Sequence, residues 1–474
     1  MNILYILLAL LIFGILIFIH ELGHFIVARL CGVKILEFAI GMGPTLLSWK
    51  SKKNGTKYAL RLFPIGGFVN MLGENGMEAV QGENGEDGEH YVEPSLINDT
   101  ADMIDTKSVE ENDVEANGEE EVSLDPEIAK QAYCNQSVWK RILISVAGPV
   151  MNIVLGFVLM LVMVLISGHN AALTNQVGGF FIVYENKAEE QGFKVNDYFY
   201  GIMEGENVKR VLSYGDLEAL VQKSETKQFD VVVLRQNKDG MDTDYVTLKN
   251  VKMDAAFLKS FTPSVSDSTG LERNDTIIKV NSTPVHTYNE LAYEVMNQGY
   301  KPMTMTVLRD GKEMVLENVL VPTQTESGAV LGAVDFIPYL EPSFDFATVI
   351  KHTWFRSLST VKMVFDSIFG LFSGRYGVET VSGPVGITKV VSEAAQYGFT
   401  TILNIVVVIS INLGVMNLLP LPALDGGHIL IYLIEAVRRK PLKKEVEGMI
   451  NFIGLVVLLS LAVIIAFKDI FTLF

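Results

Sequence analysis

Four apolar stretches of this 474-residue chain are each long enough to cross a lipid bilayer as an α-helix. A hydrocarbon layer about 30 Å thick takes roughly 17 to 25 helical residues. The stretches run from Ile3 to Ile19, from Ile142 to Ile166, from about Thr401 to Leu424, and from Ile450 to Phe467. A hydrophobic share of 49% agrees with a membrane protein. The sequence therefore predicts a multi-pass α-helical membrane protein with about four spans.

The first apolar stretch runs directly into the sequence His20-Glu21-Leu22-Gly23-His24. Two histidines four residues apart lie on one helix face, about 6 Å from each other along the axis. Both imidazoles can then reach one zinc ion, and a glutamate beside the metal can act as general base towards water. The alternative, three polar side chains paired inside a bundle, is disfavoured because ionisable groups in an apolar span are costly. We predict a zinc metalloendopeptidase site with Glu21 as its base.

A third zinc ligand is expected near the end of the third stretch, because catalytic zinc usually has three protein ligands. Asp425 places a carboxylate there at membrane depth. Pro420 and Pro422 precede it and free backbone groups that must be satisfied internally or by a substrate. His428 could compete as ligand, but Asp425 fits the helix end better. We expect Asp425 to bind the metal and His428 to lie in its surroundings.

Basic residues near the span ends predict the orientation of the chain, because cytoplasmic flanks are rich in Lys and Arg. Three basic clusters fall on one side, so we place the N-terminus and residues 170–345 outside the cytoplasm. The zinc site then lies in the cytoplasmic half of the layer, about 26 Å along the first helix. The first stretch lacks a basic start and a small-residue cleavage site, so we expect it to be retained. The clusters comprise Arg29, Lys34, Lys50, Lys52 and Lys53, then Lys140 and Arg141, then Arg438, Arg439, Lys440, Lys443 and Lys444.

The net charge of −17 arises in one acidic insert. Between Glu74 and Ala129 there are 19 acidic residues and one basic residue, Lys107, so the rest of the chain is close to neutral. The insert has few large apolar residues and cannot bury enough surface to fold alone. We predict a disordered cytoplasmic loop that acts as a solvated spacer, with a regulatory docking site as the alternative. No nucleic-acid partner is expected.

Residues 177–322 alternate short β-branched runs with turns and contain two similar copies of one unit. The copies share a Gly-x-x-x-Asn-Asp sequence, ending at Asp197 and Asp275, and a later strand that ends at Arg235 and Arg309. This pattern resembles PDZ domains, which bind extended peptides such as C-termini at a sheet edge. The first copy departs from it by a longer hairpin, and the second lacks an obvious opening strand before Ser264. The alternative role is a steric cap over the membrane part.

A known family accounts for the membrane motifs together. The zinc motif, Leu424-Asp425-Gly426 and four spans divided by PDZ-like repeats resemble the site-2 protease family of intramembrane zinc metalloproteases, in its bacterial RseP-type branch. The resemblance covers nearly the whole chain except the acidic insert. It implies that zinc is held by His20, His24 and Asp425.

Further stretches are similar to the same family. Residues 41–44 and 58–68 resemble its membrane re-entrant β-hairpin, which offers an edge strand to the substrate. Residues 147–149 with Asn152 resemble its second-span motif, and residues 382–387 resemble the segment before its third span. Without the family, the glycines would indicate only a flexible turn, and Asn152 a hydrogen bond between helices. The substrate-binding residues implied by the resemblance are Gly41, Gly43, Asn152, Asn417, Pro420 and Pro422.

The resemblance implies an endopeptidase of the bacterial cell membrane that cuts single-span membrane proteins within the bilayer. The implied substrates are anti-sigma-factor-like regulators already trimmed outside the cell, and remnant signal peptides. The PDZ-like pair would exclude substrates whose ectodomain is still attached. One alternative is a non-proteolytic peptide receptor or scaffold. Another is a transporter, although no inverted repeat of spans is visible.

These inferences divide the chain into nine parts. Residues 344–396 are apolar but interrupted by charges, so we predict a surface-lying amphipathic helix with a connector and not a fifth span. The parts are 1–30 (first span with the zinc motif), 33–73 (hairpin region), 74–130 (insert), 138–168 (second span), 176–260 and 261–325 (PDZ-like units), 344–396, 398–425 (third span with the Asp ligand) and 448–470 (fourth span).

Overall fold

A computed structural model describes most of the chain and divides it into two compact units. One unit combines Met1–Met163 with Thr360–Phe474, and the other is Val164–Ser359. Most of the predicted acidic insert lies outside the described residues, so its predicted disorder stays a prediction. The described residues are 3–74, 78–80, 90–92, 126–236, 243–299, 301–323, 334–377 and 381–471.

Long helices dominate the first unit. Four of them have the length and composition of membrane spans, within Leu7–Leu30, Val138–Ala171, Phe399–Asn417 and Val446–Asp469. The predicted four spans are therefore confirmed, and the chain is an integral membrane protein. The helices of the described chain are α1 (Ile3–Leu30), α2 (Pro126–Ala129), α3 (Val138–Ser167), α4 (Tyr214–Lys223), α5 (Tyr288–Gln298), α6 (Phe346–Phe372), α7 (Pro384–Gln396), α8 (Phe399–Asn417), α9 (Asp425–Arg438) and α10 (Lys444–Phe471).

Strands fall into two small pairs in the first unit and two larger sheets in the second. The first-unit strands are β1 (Ile35–Lys50), β2 (Lys57–Met71), β3 (Glu78–Val80) and β4 (His90–Val92). The second-unit strands are β5 (Leu173–Phe180), β6 (Ile182–Tyr184), β7 (Tyr198–Glu204), β8 (Asn207–Arg210), β9 (Gln228–Gln236), β10 (Thr243–Lys252), β11 (Phe261–Pro263), β12 (Thr276–Val280), β13 (Thr283–Pro284), β14 (Met303–Arg309), β15 (Lys312–Val319) and β16 (Phe336–Leu340).

The β1–β2 hairpin folds back on itself, so that its two strands make four adjacent segments. Residues 45–50 pair with 57–61, residues 37–40 pair with 57–60, and residues 35–40 pair with 67–71. Gly41 and Gly66 sit at the fold, with φ of 87° and 92°. A Cβ on Gly41 would lie 2.6 Å from the Phe63 carbonyl oxygen, so only glycine allows this bend. The segment 67–71 becomes an outer edge.

The third span ends earlier than the sequence predicted. Helix α8 stops at Asn417, and Asp425 is the first residue of α9 instead of the last residue of the span. Pro420 and Pro422 lie between the helices and lack the amide hydrogens that a continuous helix needs. The predicted boundary at 425 is therefore corrected to a span, a short loop and a separate helix.

The segment predicted as an amphipathic helix and connector contains two helices. On α6, Phe346 and Phe369 are more than half exposed, whereas His352 and Ser357 are fully buried. This inverted pattern suits a helix that meets lipid, because a helix in water exposes its polar side instead. The second helix is α7, which lies in the predicted connector. At the start of α7, the amides of Gly383 and Gly386 donate hydrogen bonds to the Asp469 carboxylate of α10.

The two predicted repeats of the second unit contain the same Arg–Asp ion pair. Arg235 donates to both carboxylate oxygens of Asp197, and Arg309 does the same to Asp275. Both aspartates are buried, and each arginine also reaches the carbonyl at the start of its turn. A bidentate pair of this kind fixes the turn and the later strand together. The repeat read from the sequence is therefore a structural repeat.

The strands of the two repeats are exchanged relative to their order in the sequence. Strand β5 belongs to the sheet β15-β14-β12-β5-β16, whereas β11 closes the sheet β10-β9-β7-β6-β11. The first repeat is thus inserted within the second, and β5 supplies the opening strand that the second copy lacked. The predicted boundaries 176–260 and 261–325 are corrected accordingly. Strands that pair across such a long stretch of sequence leave no local pattern from which the exchange could be predicted.

Asp335 makes the stability of the second unit depend on pH. Its side chain is fully buried, Oδ2 accepts from the Ser266 amide at 2.9 Å, and Oδ1 has no hydrogen-bond partner among the described residues. Burial raises the pKa of Asp335 to about 6. Because this pKa lies above the unfolded value of about 3.9, the stabilising contribution is complete below pH ~4 and is lost as the pH rises through about 6.

We expect Asp335→Asn to remove this pH dependence and to stabilise the unit at pH 8 by about 2 to 3 kcal/mol. The amide oxygen keeps the bond from Ser266 without burying a charge. Hydrogen exchange of β11 and β16 in the full chain, corrected for intrinsic rates, measures the effect. Asp310→Asn, at an exposed turn, is the control. A wild type whose protection does not fall between pH 4.5 and 8 would contradict the assignment.

Candidate metal centre and active-site cavity

A cavity of about 670 Å³ opens inside the first unit and contains the residues of the predicted zinc motif. It is bounded by α1, β2, α3, α9 and α10, so distant parts of the chain meet there. Polar and charged side chains make up much of the lining, which is unusual between apolar helices. Among the lining residues are His20, Glu21, His24, Gly67, Phe68, Val69, Glu74, Tyr133, Arg141, Ile144, Ser145, Asp425, His428, Tyr432, Glu435, Glu447 and Asn451.

Three side chains converge at one end of the cavity. His20 Nε2 lies 3.3 Å from His24 Nε2 and 3.1 Å from Asp425 Oδ2, and His24 Nε2 lies 3.5 Å from Asp425 Oδ1. A tetrahedral zinc ion with ligands about 2.0 to 2.2 Å away holds its ligand atoms about 3.3 to 3.6 Å apart. Two imidazoles and one carboxylate also form a donor set that catalytic zinc accepts. The three residues therefore fit a zinc ion.

Glycines allow these helices to approach closely enough to bring the ligands together. A Cβ on Gly23 would lie 2.4 Å from the Ala147 carbonyl oxygen, where α1 crosses α3. A Cβ on Gly148 would lie 2.3 Å from His24 Nε2, inside the metal site itself. Small residues at helix crossings are a common way of packing helices in membranes.

Asp425 owes its position to the loop between α8 and α9. The backbone folds over the start of α9, because a Cβ on Gly426 would lie 2.1 Å from the Leu419 carbonyl oxygen. Ala423 has a φ of 67°, a left-handed conformation that a non-glycine residue adopts only when its surroundings impose it. The loop is also packed against α10, since a Cβ on Gly454 would lie 2.3 Å from Pro422. The carboxylate is therefore held by the fold.

Glu21 faces the outer segment of β2. A Cβ on Gly67 would lie 3.1 Å from Glu21 Cγ, so this strand runs directly beside the predicted base. Phe68 and Val69 also line the cavity. Within the described chain, the only strand that pairs with residues 67–71 is the segment 35–40, so no strand covers their second edge.

The residues that the resemblance assigned to substrate binding occupy three different places. Gly41 and Gly43 lie at the bend of the hairpin, where φ is positive at both. Asn417 ends α8, and Pro420 and Pro422 form the loop that precedes Asp425. Asn152 is fully buried, and its side-chain amide lies 3.2 Å from His20 Nδ1. These six are absent from the described lining of the cavity.

Sequence reasoning missed the polar cluster that extends the cavity away from the metal ligands. Arg141 pairs with Glu435 at 2.7 Å, and its guanidinium lies 4.6 Å from the centre of the Tyr432 ring. His428 is not among the metal-binding group, and its Nδ1 lies 3.7 Å from a Glu447 oxygen, a contact that raises the pKa of His428. In the sequence, Arg141 indicated only the orientation of the chain, because its ion-pair partner Glu435 is 294 residues away.

Comparison with known proteins agrees with this site. The model of peptidase family M50 matches residues 8–461. The chain belongs to this site-2 protease family. The M50 relatives include the regulator of sigma-W protease RasP of Bacillus subtilis, 31% identical over 98% of this chain and 97% of its own length. The probable protease eep of Enterococcus faecalis is 28% identical over 97% of each chain, and a putative zinc metalloprotease of Vibrio cholerae is 27% identical over 96% of each.

Membership of the M50 family confirms the enzyme class and the cofactor predicted from the sequence. The chain is a zinc metalloprotease.

We expect Asp425→Ala to weaken zinc binding by more than the roughly 10- to 100-fold that loss of an outer-shell partner costs. The reason is that Asp425 is the only carboxylate in the three-residue group of the described chain. His428→Ala is the matched control and should keep wild-type affinity, because its ring faces Glu447. Zinc content of the purified protein and competition with a chelator measure both. The reverse ranking of the two variants would make His428 the third ligand.

Proposed function

We propose that the chain is an intramembrane endopeptidase in which His20, His24 and Asp425 hold zinc and Glu21 is the general base. The observation that carries this proposal is the convergence of the three donor atoms within 4.8 Å, beside Glu21, in a unit built from membrane-spanning helices. Family membership supports the same chemistry.

Peptide hydrolysis at this site follows from the groups around the cavity. Bound zinc supplies a Lewis acid for the scissile carbonyl and makes water nucleophilic at neutral pH. Glu21 takes the proton of the attacking water and returns it to the leaving amine. The polar lining admits the water that hydrolysis consumes, although the surrounding helices are apolar.

The outer segment of β2 is proposed to hold the substrate. A membrane helix satisfies its own backbone hydrogen bonds, so it must be unwound before one of its peptide bonds can be cut. Residues 67–71 offer a strand edge next to Glu21, to which an unwound segment can add. The bend at Gly41 and Gly43 sets this edge in place, and the family resemblance assigns Asn417, Pro420 and Pro422 a further contact with the substrate backbone.

The proposed substrates are single-span membrane proteins whose ectodomain has been removed. The name of the Bacillus subtilis relative, regulator of sigma-W protease, favours regulators of the anti-sigma-factor type. Remnant signal peptides are a second group, because they present a single apolar helix. We further propose that the site opens towards the cytoplasm and that the second unit lies outside the bacterial cell membrane, as the basic clusters predict.

The second unit is proposed to be a tandem of PDZ-like domains that screens substrates and binds peptide C-termini. Each of its sheets carries one helix, α4 or α5, as a peptide groove requires. In the first sheet, β11 already pairs with β6 through Phe261, Thr262 and Pro263. In the second sheet, β16 covers β5 in the same way, so a peptide can use either edge only if the covering strand leaves it. Absence of binding of fluorescent C-terminal peptides to the full chain would favour a purely steric cap.

The central test is cleavage of a tagged single-span substrate without its ectodomain. We expect the wild type to give a product cut inside the span, and Glu21→Gln to reduce the rate by at least 10²-fold because proton transfer is lost. Glu290→Gln, on α5 of the other unit, is the control and should cleave normally. A zinc chelator should abolish the activity. Equal processing by wild type and Glu21→Gln would point instead to a non-proteolytic peptide receptor.

Cross-linking tests the strand-addition model. The two cysteines of the chain, Cys31 and Cys134, could compete in disulfide formation, so both are first replaced by serine. In the Glu21→Gln background, Phe68→Cys should form a disulfide with a cysteine placed beside the scissile bond, because Phe68 lines the cavity. Leu47→Cys, exposed on the opposite segment of the same sheet, should not. Equal cross-linking at both positions would contradict docking on β2.

A further inference from the structure

Helix α3 supplies the partners of the second nitrogen on both histidine rings. His24 Nδ1 lies 2.8 Å from the Ile144 carbonyl oxygen. His20 Nδ1 lies 3.2 Å from Asn152 Nδ2, two turns further along the same helix, and Asn152 Oδ1 is the amide atom turned away from the ring. One short stretch of α3 therefore determines how both rings are oriented.

The partner of Nδ1 decides which nitrogen is free for a metal. A neutral imidazole carries one N–H, so a histidine that binds zinc through Nε2 must hold its proton on Nδ1 and donate it. The Ile144 carbonyl can only accept, so it fixes His24 in this form. His20 needs an acceptor in the same position.

Asn152 can provide that acceptor only in one of its two amide orientations. The side chain is fully buried, and the amide atom turned away from His20 has no hydrogen-bond partner among the described residues. Either orientation leaves one amide atom unpaired, so burial does not choose between them. The oxygen and nitrogen of an amide are assigned from the hydrogen bonds around them, and zinc binding by His20 Nε2 requires the oxygen to face Nδ1.

We propose that Asn152 is a positioning residue of the zinc site, whose Oδ1 accepts a hydrogen bond from His20 Nδ1–H and so leaves Nε2 as ligand. This inference rests on the proposed zinc role of His20. It gives Asn152 a task different from the substrate contact that the family resemblance implies. Complete burial favours this task, because a substrate cannot reach the side chain.

Neighbouring residues of α3 and α8 support the same arrangement of the histidine rings. Gly148 leaves room for the His24 ring, since a Cβ at this position would lie 2.3 Å from His24 Nε2. Ser410 of α8 donates to the Asn152 carbonyl oxygen at 2.7 Å. Asn152 thus links α1, which carries the histidines, to α8, which leads to Asp425.

The test compares zinc binding by the purified full chain and three variants. Asn152→Leu removes the acceptor and should weaken zinc binding by about 10- to 100-fold, the usual cost of losing an outer-shell partner. Asn152→Asp offers only acceptors, so it should bind zinc as tightly as the wild type or more tightly. Ser460→Ala, at an exposed hydroxyl of α10 that donates only to the Val456 carbonyl of its own helix, should leave the affinity unchanged.

Two readouts other than proteolysis decide the outcome: chelator competition, and the visible spectrum of the Co²⁺-substituted protein, which responds to ligand geometry. Unchanged affinity and spectrum in Asn152→Leu would overturn the proposal. Weakening in Asn152→Asp as large as in Asn152→Leu would also overturn it, since the amide nitrogen would then be the contacting atom. If Asn152→Leu does not fold, Asn152→Asp still decides. Failure of the wild type itself to bind zinc would instead refute the proposed function.

Discussion

The metal-binding geometry depends on how closely the helices of the first unit can approach one another. Donor atoms separated by 3.1 to 3.5 Å are possible only because glycines stand where α1 meets α3 and where the loop before α9 folds back. A single methyl group at Gly23, Gly148 or Gly426 would collide with backbone or with a ligand ring. The packing of small residues where the helices cross therefore sets the position of the polar site.

Much of the membrane part could be predicted from the sequence, because its signals are local. Apolar length gives the spans, and the four-residue spacing of His20 and His24 gives a common helix face. Asp425 could be proposed as third ligand, yet its place at the start of a separate helix was not predicted. That place depends on the loop's contacts with α9 and α10, which are tertiary. The pairing of Arg141 with Glu435 was missed for the same reason.

In the second unit, too, the local features could be predicted from the sequence and the long-range strand pairing could not. The Gly-x-x-x-Asn-Asp turns recur 78 residues apart and the later arginines 74 residues apart, so the repeat was visible, and the structure adds the ion pairs that explain it. The exchange of β5 and β11 between the sheets was not visible. Both strands are short, and their partners lie far away in the sequence, so neither periodicity nor turn chemistry identifies them.

The nested arrangement of the second unit also constrains the order in which a ribosome can complete it. Strand β5 is made first, but its partners β12 and β16 are made only after the whole inserted repeat has been synthesised. The inserted repeat can build most of its sheet meanwhile, since β6 to β10 are contiguous in the chain. Strand β5, eight residues long, therefore stays without its sheet partners until β12 and β16 have been synthesised, and an unpaired strand edge of this kind is prone to pairing elsewhere.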